Sequence, residues 1–197
     1  SEMCIRDSFG KVLDITDPEA AKEAIQSVVE AFGGVDILIS NAGSAKPGSI
    51  ADLDIKVVRD SFEVNFFAHY EFAKAFAKVL KLQDRGGQIL FNISKQAVNP
   101  GKNFGSYGLP KATTMFLMRQ LALELGSENI RVNGVNADRI RSGVLTDEYI
   151  SQRADARGVS DDRYMAGNLL NKEVMASHVA DAFVSLACSV RTTGHVM

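Results

Sequence analysis

The sequence predicts an α/β protein built as a doubly wound parallel sheet, with helices on both faces. Three observations carry this expectation. Strand-like and helix-like segments alternate along all 197 residues. The strand-like segments are apolar throughout rather than alternately polar, as strands covered on both faces must be. Three of them end in short polar turns, "NAG" (41–43), "NIS" (92–94) and "NADRIRS" (136–142). In such sheets ligands bind beyond the carboxyl ends of the strands, so these turns should line one crevice.

In order, "GKVLDIT" (10–16) reads as a buried strand. Residues 17–34 read as a helix with Asp17 at the N-cap, Pro18 at its first position and Gly33-Gly34 at its stop. "VDILISNAG" (35–43) is a strand, and a long helical pattern covers 54–82. "GGQILFNIS" is the next strand, 106–126 a helix closed by Gly126, and "NIRVNGVNA" (129–137) another strand. Residues 143–172 look irregular or broken-helical, 175–189 helical, and "GHVM" begins a last strand. No repeat, low-complexity tract or linker interrupts the series.

Composition narrows the function. With 46% hydrophobic and 23% charged residues, the chain can bury the core of one domain. A net charge of −2 and a pI near 5.9 give no basic field for nucleic acid or an anionic membrane. No apolar run approaches a membrane span, and the first residues lack the order of a signal peptide, so a cytoplasmic protein is expected. Cys4 and Cys188 are far apart, and His69, His178 and His195 are scattered, which argues for reduced thiols and against a metal site.

One pair of residues points to chemistry. Tyr107 and Lys111 in "SYGLPKA" share a face if the stretch opens a helix, where Pro110 is tolerated in the first turn. An ammonium within about 4 to 6 Å favours a phenolate and draws the tyrosine pKa down toward neutrality. Such a pair can move a proton on or off an alcohol oxygen. Ser94, at the mouth of the preceding strand, can hydrogen-bond the same oxygen. Asn65, in the otherwise apolar "FEVNFFAHY", is out of place in a helix interior unless its amide has partners. Taken singly, each has an ordinary structural explanation as helix neighbour, N-cap, turn or bend.

Together and in order, these residues resemble the short-chain dehydrogenase/reductase family. The resemblance runs from about residue 10 to the end through "DIT" (14–16), "NAG", Asn65, Ser94 thirteen residues before Tyr107, the YxxxK of Tyr107 and Lys111, and "RVNGVN" (131–136). It implies a Rossmann-like fold and hydride transfer between NAD, or NADP, and a small alcohol or carbonyl substrate. Tyr107 would be the acid/base, Ser94 would hold the substrate oxygen, and Lys111 would bind the nicotinamide ribose. Asn65 would hold a water linking Lys111 to solvent. Asp14 and Ile15 would contact the adenine, and Asn41, Ala42 and Gly43 the adenosine side of the cleft. Ile140 and Ser142 would contact the nicotinamide carboxamide. The same resemblance implies a homo-oligomer through the 54–82 and 106–126 helices.

Ala137-Asp138 stands where most members have Pro-Gly. The stretches "FNISKQAVNPGKNFGSYGLPKA" and "VNGVNADRIRSGVLTDEYI" look like the dehydrogenase half of bifunctional rhamnulose-1-phosphate aldolase/short-chain dehydrogenase proteins, which implies lactaldehyde as substrate. A dehydrogenase of another sugar or polyol, and a non-catalytic nucleotide-binding module, remain alternatives. Lys95, Arg139 and Arg141 are expected either to form a positive rim for a polar or anionic substrate or to be solvated loop charges. Residues 145–170 are expected to be a substrate lid or two surface helices. Residues 1–9, with "SEMCIRDS", fit no element and are read as a non-native or unstructured start, leaving 10–197 as a partial domain without the first βαβ unit, its glycine-rich loop or all of the last strand. That expectation carries a cost, an unpaired edge on a core strand and incomplete cofactor binding.

Overall fold

The computed structural model describes residues 8–197; residues 1–7, most of the start expected to be non-native, lie outside the described residues. The frame is a parallel sheet of β1 (Ile37–Ser40), β2 (Gly87–Asn92) and β3 (Ile130–Val135) in the order β1-β2-β3. In register, Ile39 stands beside Leu90 and Leu90 beside Asn133.

Helices cover both faces, because β2 is apolar on both sides. Ile89 and Phe91 face a core shared with α1 (Pro18–Phe32), α3 (Ala68–Gln83) and α4 (Gly105–Leu125), which contribute Ile25, Phe76, Leu80 and Met118. Leu90 faces the other way, against Phe183 and Leu186 of α7 (Ala176–Cys188). All three β2 side chains are completely buried. The expected α/β class with a parallel sheet is therefore the observed one.

Local signals set most of the ends. The Asp17 carboxylate accepts from the Glu19 N–H at 2.9 Å, Pro18 opens α1, and Gly33 closes it in the left-handed region at φ 79°. Elsewhere the structure corrects the expectation. Residues 10–16 form no strand: among the described residues no neighbouring strand pairs with them, Asp14 only closes a turn by accepting from the Asp17 N–H, and Val12 is fully exposed, since an apolar pattern makes a strand only beside a neighbour. α4 ends at Leu125 with Gly126 as its C-cap, as expected, but Gly126 stays right-handed at φ −61° and leads into a 3₁₀ turn (Gly126–Glu128), and Asn129 at φ 58° takes the left-handed position. Pro110 lies in the second turn of α4, beyond the spare N–H groups, and removes the bond that the Ser106 carbonyl would receive.

The 54–82 pattern is not one helix. α2 (Ile55–Phe62) passes into a π-helical turn (Glu63–Phe67) before α3 begins. The 143–172 region contains α5 (Asp147–Asp155) and α6 (Asp161–Met165), packed on their own cluster of Ile150, Ala154, Tyr164 and Met165. At the chain's end, Gly194, His195 and Met197 hydrogen-bond along β3, with a single parallel bridge from Gly134 to Val196.

Candidate active site

Three strand mouths and one helix converge. Past β1 and β2, the Asn92 side-chain amide donates to Asn41 Oδ1 at 2.7 Å and ties the two mouths together. Past Asn92 the backbone stays extended through Ser94, whose hydroxyl accepts from the Gln96 N–H and caps a short 3₁₀ turn (Lys95–Ala97). This turn lies against the start of α4: a Cβ on Gly108 would stand 3.1 Å from the Gln96 carbonyl oxygen, so glycine permits the approach.

That approach brings Tyr107 and Lys111 to the crevice. Lys111 is 2% exposed, and its ammonium donates to the Asn92 carbonyl at 2.9 Å while lying 5.8 Å from the centre of the Tyr107 ring. Burial lowers the Lys111 pKa to about 8. The expectation that Tyr107 would be pulled toward neutrality does not hold in the protein alone. Burial raises its pKa, and the hydrogen bond from Ser94, which lowers it, only partly offsets that. Desolvation outweighs that hydrogen bond, because a phenolate leaving water loses more than one hydroxyl partner returns, and the Lys111 ammonium is not among the causes of the shift.

Asn65 is fully buried and fully engaged. Its Nδ2 donates to the Ser44 carbonyl (2.9 Å) and to the Ser61 carbonyl and hydroxyl (3.1 Å each), and its Oδ1 accepts from the Ser44 N–H. Asn65 lies in the π-helical turn, and its main-chain carbonyl accepts from the Thr114 hydroxyl of α4 at 2.7 Å. Gly43 sits over this group: a Cβ there would be 3.1 Å from Asn65 Oδ1 and 3.8 Å from Lys111 Nζ. Behind it His69 is 2% exposed, with Nδ1 2.6 Å from Ser40 Oγ. Desolvation, then the Lys111 charge, lowers its pKa to about 3.

Contacts thus link Asn41 to Asn92, Asn92 to Lys111, Gly43 to Asn65 and Lys111, and Ser94 to Tyr107 around the strand mouths, with Ala42 between Asn41 and Gly43. The other expected cofactor residues are spread wider. The Asp14 carboxylate is exposed and accepts from the Thr16 N–H and hydroxyl, and Ile15 lines a cavity of about 190 Å³ with Phe67 and Ala68. Ser142 accepts from the Val144 and Leu145 N–H groups of its own turn, and Ile140 is half-buried in the same loop. The expected positive rim is not free charge. Lys95 pairs with Asp138 at 3.0 Å, and Arg141 pairs with Asp147 and Glu173. Arg139 donates to the Tyr164 carbonyl and lies over the Tyr164 ring.

Asn92 enters the sequence reading only within the "NIS" turn, and His69 only as one of three scattered histidines; neither was given a role. An amide at the mouth of an apolar strand was the available signal for Asn92; nothing local marks His69. Among the described residues no group of His, Cys, Asp and Glu is arranged to hold a metal ion, and no helix is long and apolar enough to cross a membrane.

A family model described as short chain dehydrogenase matches residues 4–152. The chain is 30% identical over 204 residues to an uncharacterized oxidoreductase, YuxG, of Bacillus subtilis, covering 96% of this chain and 30% of that protein. It is 31% identical over 166 residues to an L-rhamnose 1-dehydrogenase (NAD(P)(+)) of Sphingomonas sp., covering 84% of this chain and 65% of that one. The chain therefore spans less than two thirds of the length of both. Among solved structures, carveol dehydrogenase from Mycobacterium avium in complex with NAD superposes with a TM-score of 0.87 at 28% identity, over 94% of this chain and 70% of that one. A 7α-hydroxysteroid dehydrogenase complexed with NADH gives 0.82 at 27%, over 96% and 71%.

Proposed function

The chain belongs to the short-chain dehydrogenase family, and from that premise we propose that its crevice serves hydride transfer between NAD and an alcohol/aldehyde pair, with NADP also admissible. The carrying observation is that Tyr107 and Lys111 meet Ser94 and Asn65 at the strand mouths, with Gly43 leaving the approach open. The strand mouths fit a polar cofactor: Asn92 Oδ1 and Asn136 Oδ1 are buried there with no partner among the described residues, and buried polar atoms left unmatched favour a ligand that supplies donors. Asn41, Ala42, Gly43, Lys111, Ile140 and Ser142 would hold it, with Asp14 and Ile15 at the adenine end. When bound, the cofactor supplies the hydride acceptor or donor.

The protein's own part is protons and position. Tyr107 takes the hydroxyl proton of the alcohol as its carbon is oxidised and returns one in reduction. Ser94 hydrogen-bonds the same oxygen and favours the phenolate. Lys111 adds positive charge on the far side of the ring, and Asn65 holds the loop at Gly43–Ser44 and gives Lys111 a polar neighbour on the route to solvent. Residues 10–197 act as the dehydrogenase unit, and 145–170 as its lid.

For the substrate we propose lactaldehyde, in deoxysugar breakdown beside an aldolase of the rhamnulose-1-phosphate type, supported by the resemblance of the two stretches around Ser94–Tyr107 and Val132–Ile150. The similarity to an L-rhamnose 1-dehydrogenase favours a second reading, oxidation of a sugar or polyol itself. The absence of a membrane-crossing helix among the described residues agrees with work in the cytoplasm. Replacing Tyr107 by Phe should lower kcat by about 10²- to 10⁴-fold on either substrate while largely sparing NAD affinity, read by steady-state kinetics and cofactor titration. Undiminished turnover would contradict the acid/base role; NAD binding without turnover of any alcohol in the unaltered protein would point to a nucleotide-binding module.

A further inference from the structure

Resting on the dehydrogenase reading, the geometry points to Lys95 and Asp138 as a charge-balanced subsite that selects a neutral substrate bearing a hydroxyl beside the reacting carbon. Lys95 directly follows Ser94, and Asp138 lies three residues past β3. They close over the mouths of β2 and β3 through two links, the Lys95 N–H to the Ala137 carbonyl and Lys95 Nζ to Asp138 Oδ2, each 3.0 Å. The side chains are 38% and 31% exposed, so neither is sealed off from a molecule in the crevice.

A pair this exposed contributes little to stability, and it stands in sequence beside Ser94, which holds the reacting oxygen in the dehydrogenase reading. Its valences are only partly used. Among the described residues the ammonium meets one acceptor, and Asp138 Oδ1 meets no donor. An alcohol hydroxyl can therefore donate to Asp138 Oδ1 and accept from Lys95 Nζ at once. An anionic group meets the Asp138 carboxylate beside Lys95, and among the described residues no second cation offsets it, since Arg141 is held by Asp147 and Glu173 and Arg139 by the Tyr164 and Gly167 carbonyls. Selection against phosphate or carboxylate is as much a part of the design as attraction of the hydroxyl. Because Lys95 adjoins the residue that holds the reacting oxygen, the recognised hydroxyl sits on the next carbon, as in a vicinal diol or a 2-hydroxyaldehyde.

The test compares butane-2,3-diol with butan-2-ol, which react at the same kind of carbon, in the unaltered protein and in the double variant Lys95→Met with Asp138→Leu. The unaltered protein should prefer the diol in kcat/KM by at least about tenfold, the discrimination a hydrogen bond to a charged group supplies, and the double variant should bring that ratio near one. Asp138→Asn should raise the relative kcat/KM for 3-hydroxybutyrate. A second readout needs no turnover: backbone amide signals of 95 and 138 should shift on titration with the diol, not with butan-2-ol, and not in the double variant. A ratio that survives the double substitution, or amides indifferent to the diol, overturns the subsite. Absence of turnover on both alcohols counts against the dehydrogenase reading instead, and the amide titration then decides the subsite by itself.

Discussion

At the residue scale, His69 shows how burial sets protonation. It sits behind the crevice with Nδ1 2.6 Å from Ser40 Oγ, and desolvation beside the Lys111 charge holds it neutral down to about pH 3. In the unfolded chain the same ring titrates near its ordinary value of 6.5, so between these limits the unfolded state binds a proton that the folded state refuses. Its contribution to stability is therefore complete above about pH 6.5 and is lost as pH falls toward 3. Urea unfolding should show a loss of up to about 1.4 kcal/mol per pH unit between pH 6 and 4 from this group, and His69→Gln should flatten the slope by that amount. Tyr107 and Lys111 were legible as a pair from their spacing, yet the direction of the Tyr107 shift was not. It depends on how deeply the ring is covered, which no spacing of four residues reports.

At the element scale, the π-helical turn at Glu63–Phe67 decides what Asn65 can do. The odd asparagine in an apolar helix was visible in "FEVNFFAHY"; the widened turn was not, and the hydroxyl that reaches its Asn65 carbonyl comes from Thr114, 49 residues away. Thr114 is completely buried, so Thr114→Val should destabilise the protein by about 1–3 kcal/mol in urea unfolding, by removing the buried hydroxyl bond to the Asn65 carbonyl. Thr114→Ser, which keeps the hydroxyl, should recover much of that loss. The segment 10–16 teaches the converse. "GKVLDIT" has the composition of a buried strand, but a strand is completed by its neighbour's N–H and C=O groups, and none of the described residues supplies them. Helix α1 needed no such partner, since Asp17 and Gly33 satisfy its ends locally.

At the scale of the whole molecule, the covered and uncovered faces matter. Leu109, Phe116 and Leu123 are 50%, 68% and 79% exposed at seven-residue spacing along one side of α4, and Phe67 and Tyr70 are open at the start of α3. This apolar stripe is where a homo-oligomer of the kind that the family resemblance implies would pair its helices. Phe116→Glu combined with Leu123→Lys should shift the protein to monomer in sedimentation velocity with its circular dichroism unchanged; an unaltered sedimentation coefficient would place any interface elsewhere. The outer edge of β1 is also open, with Ile37 and Ile39 about half exposed on the face that α7 covers only farther along the sheet. By itself the sequence determined the alternation of strands and helices, the capped ends of α1, the residues at the strand mouths and the spacing of Tyr107 and Lys111, because each is written in local pattern and propensity. Only the tertiary structure decided that Lys95 would be spent on Asp138, 43 residues away, that Lys111 would lean on Asn92, and that burial would govern Tyr107 and His69. Pairing and desolvation are properties of what the folded chain brings together, and they have no counterpart in neighbouring letters.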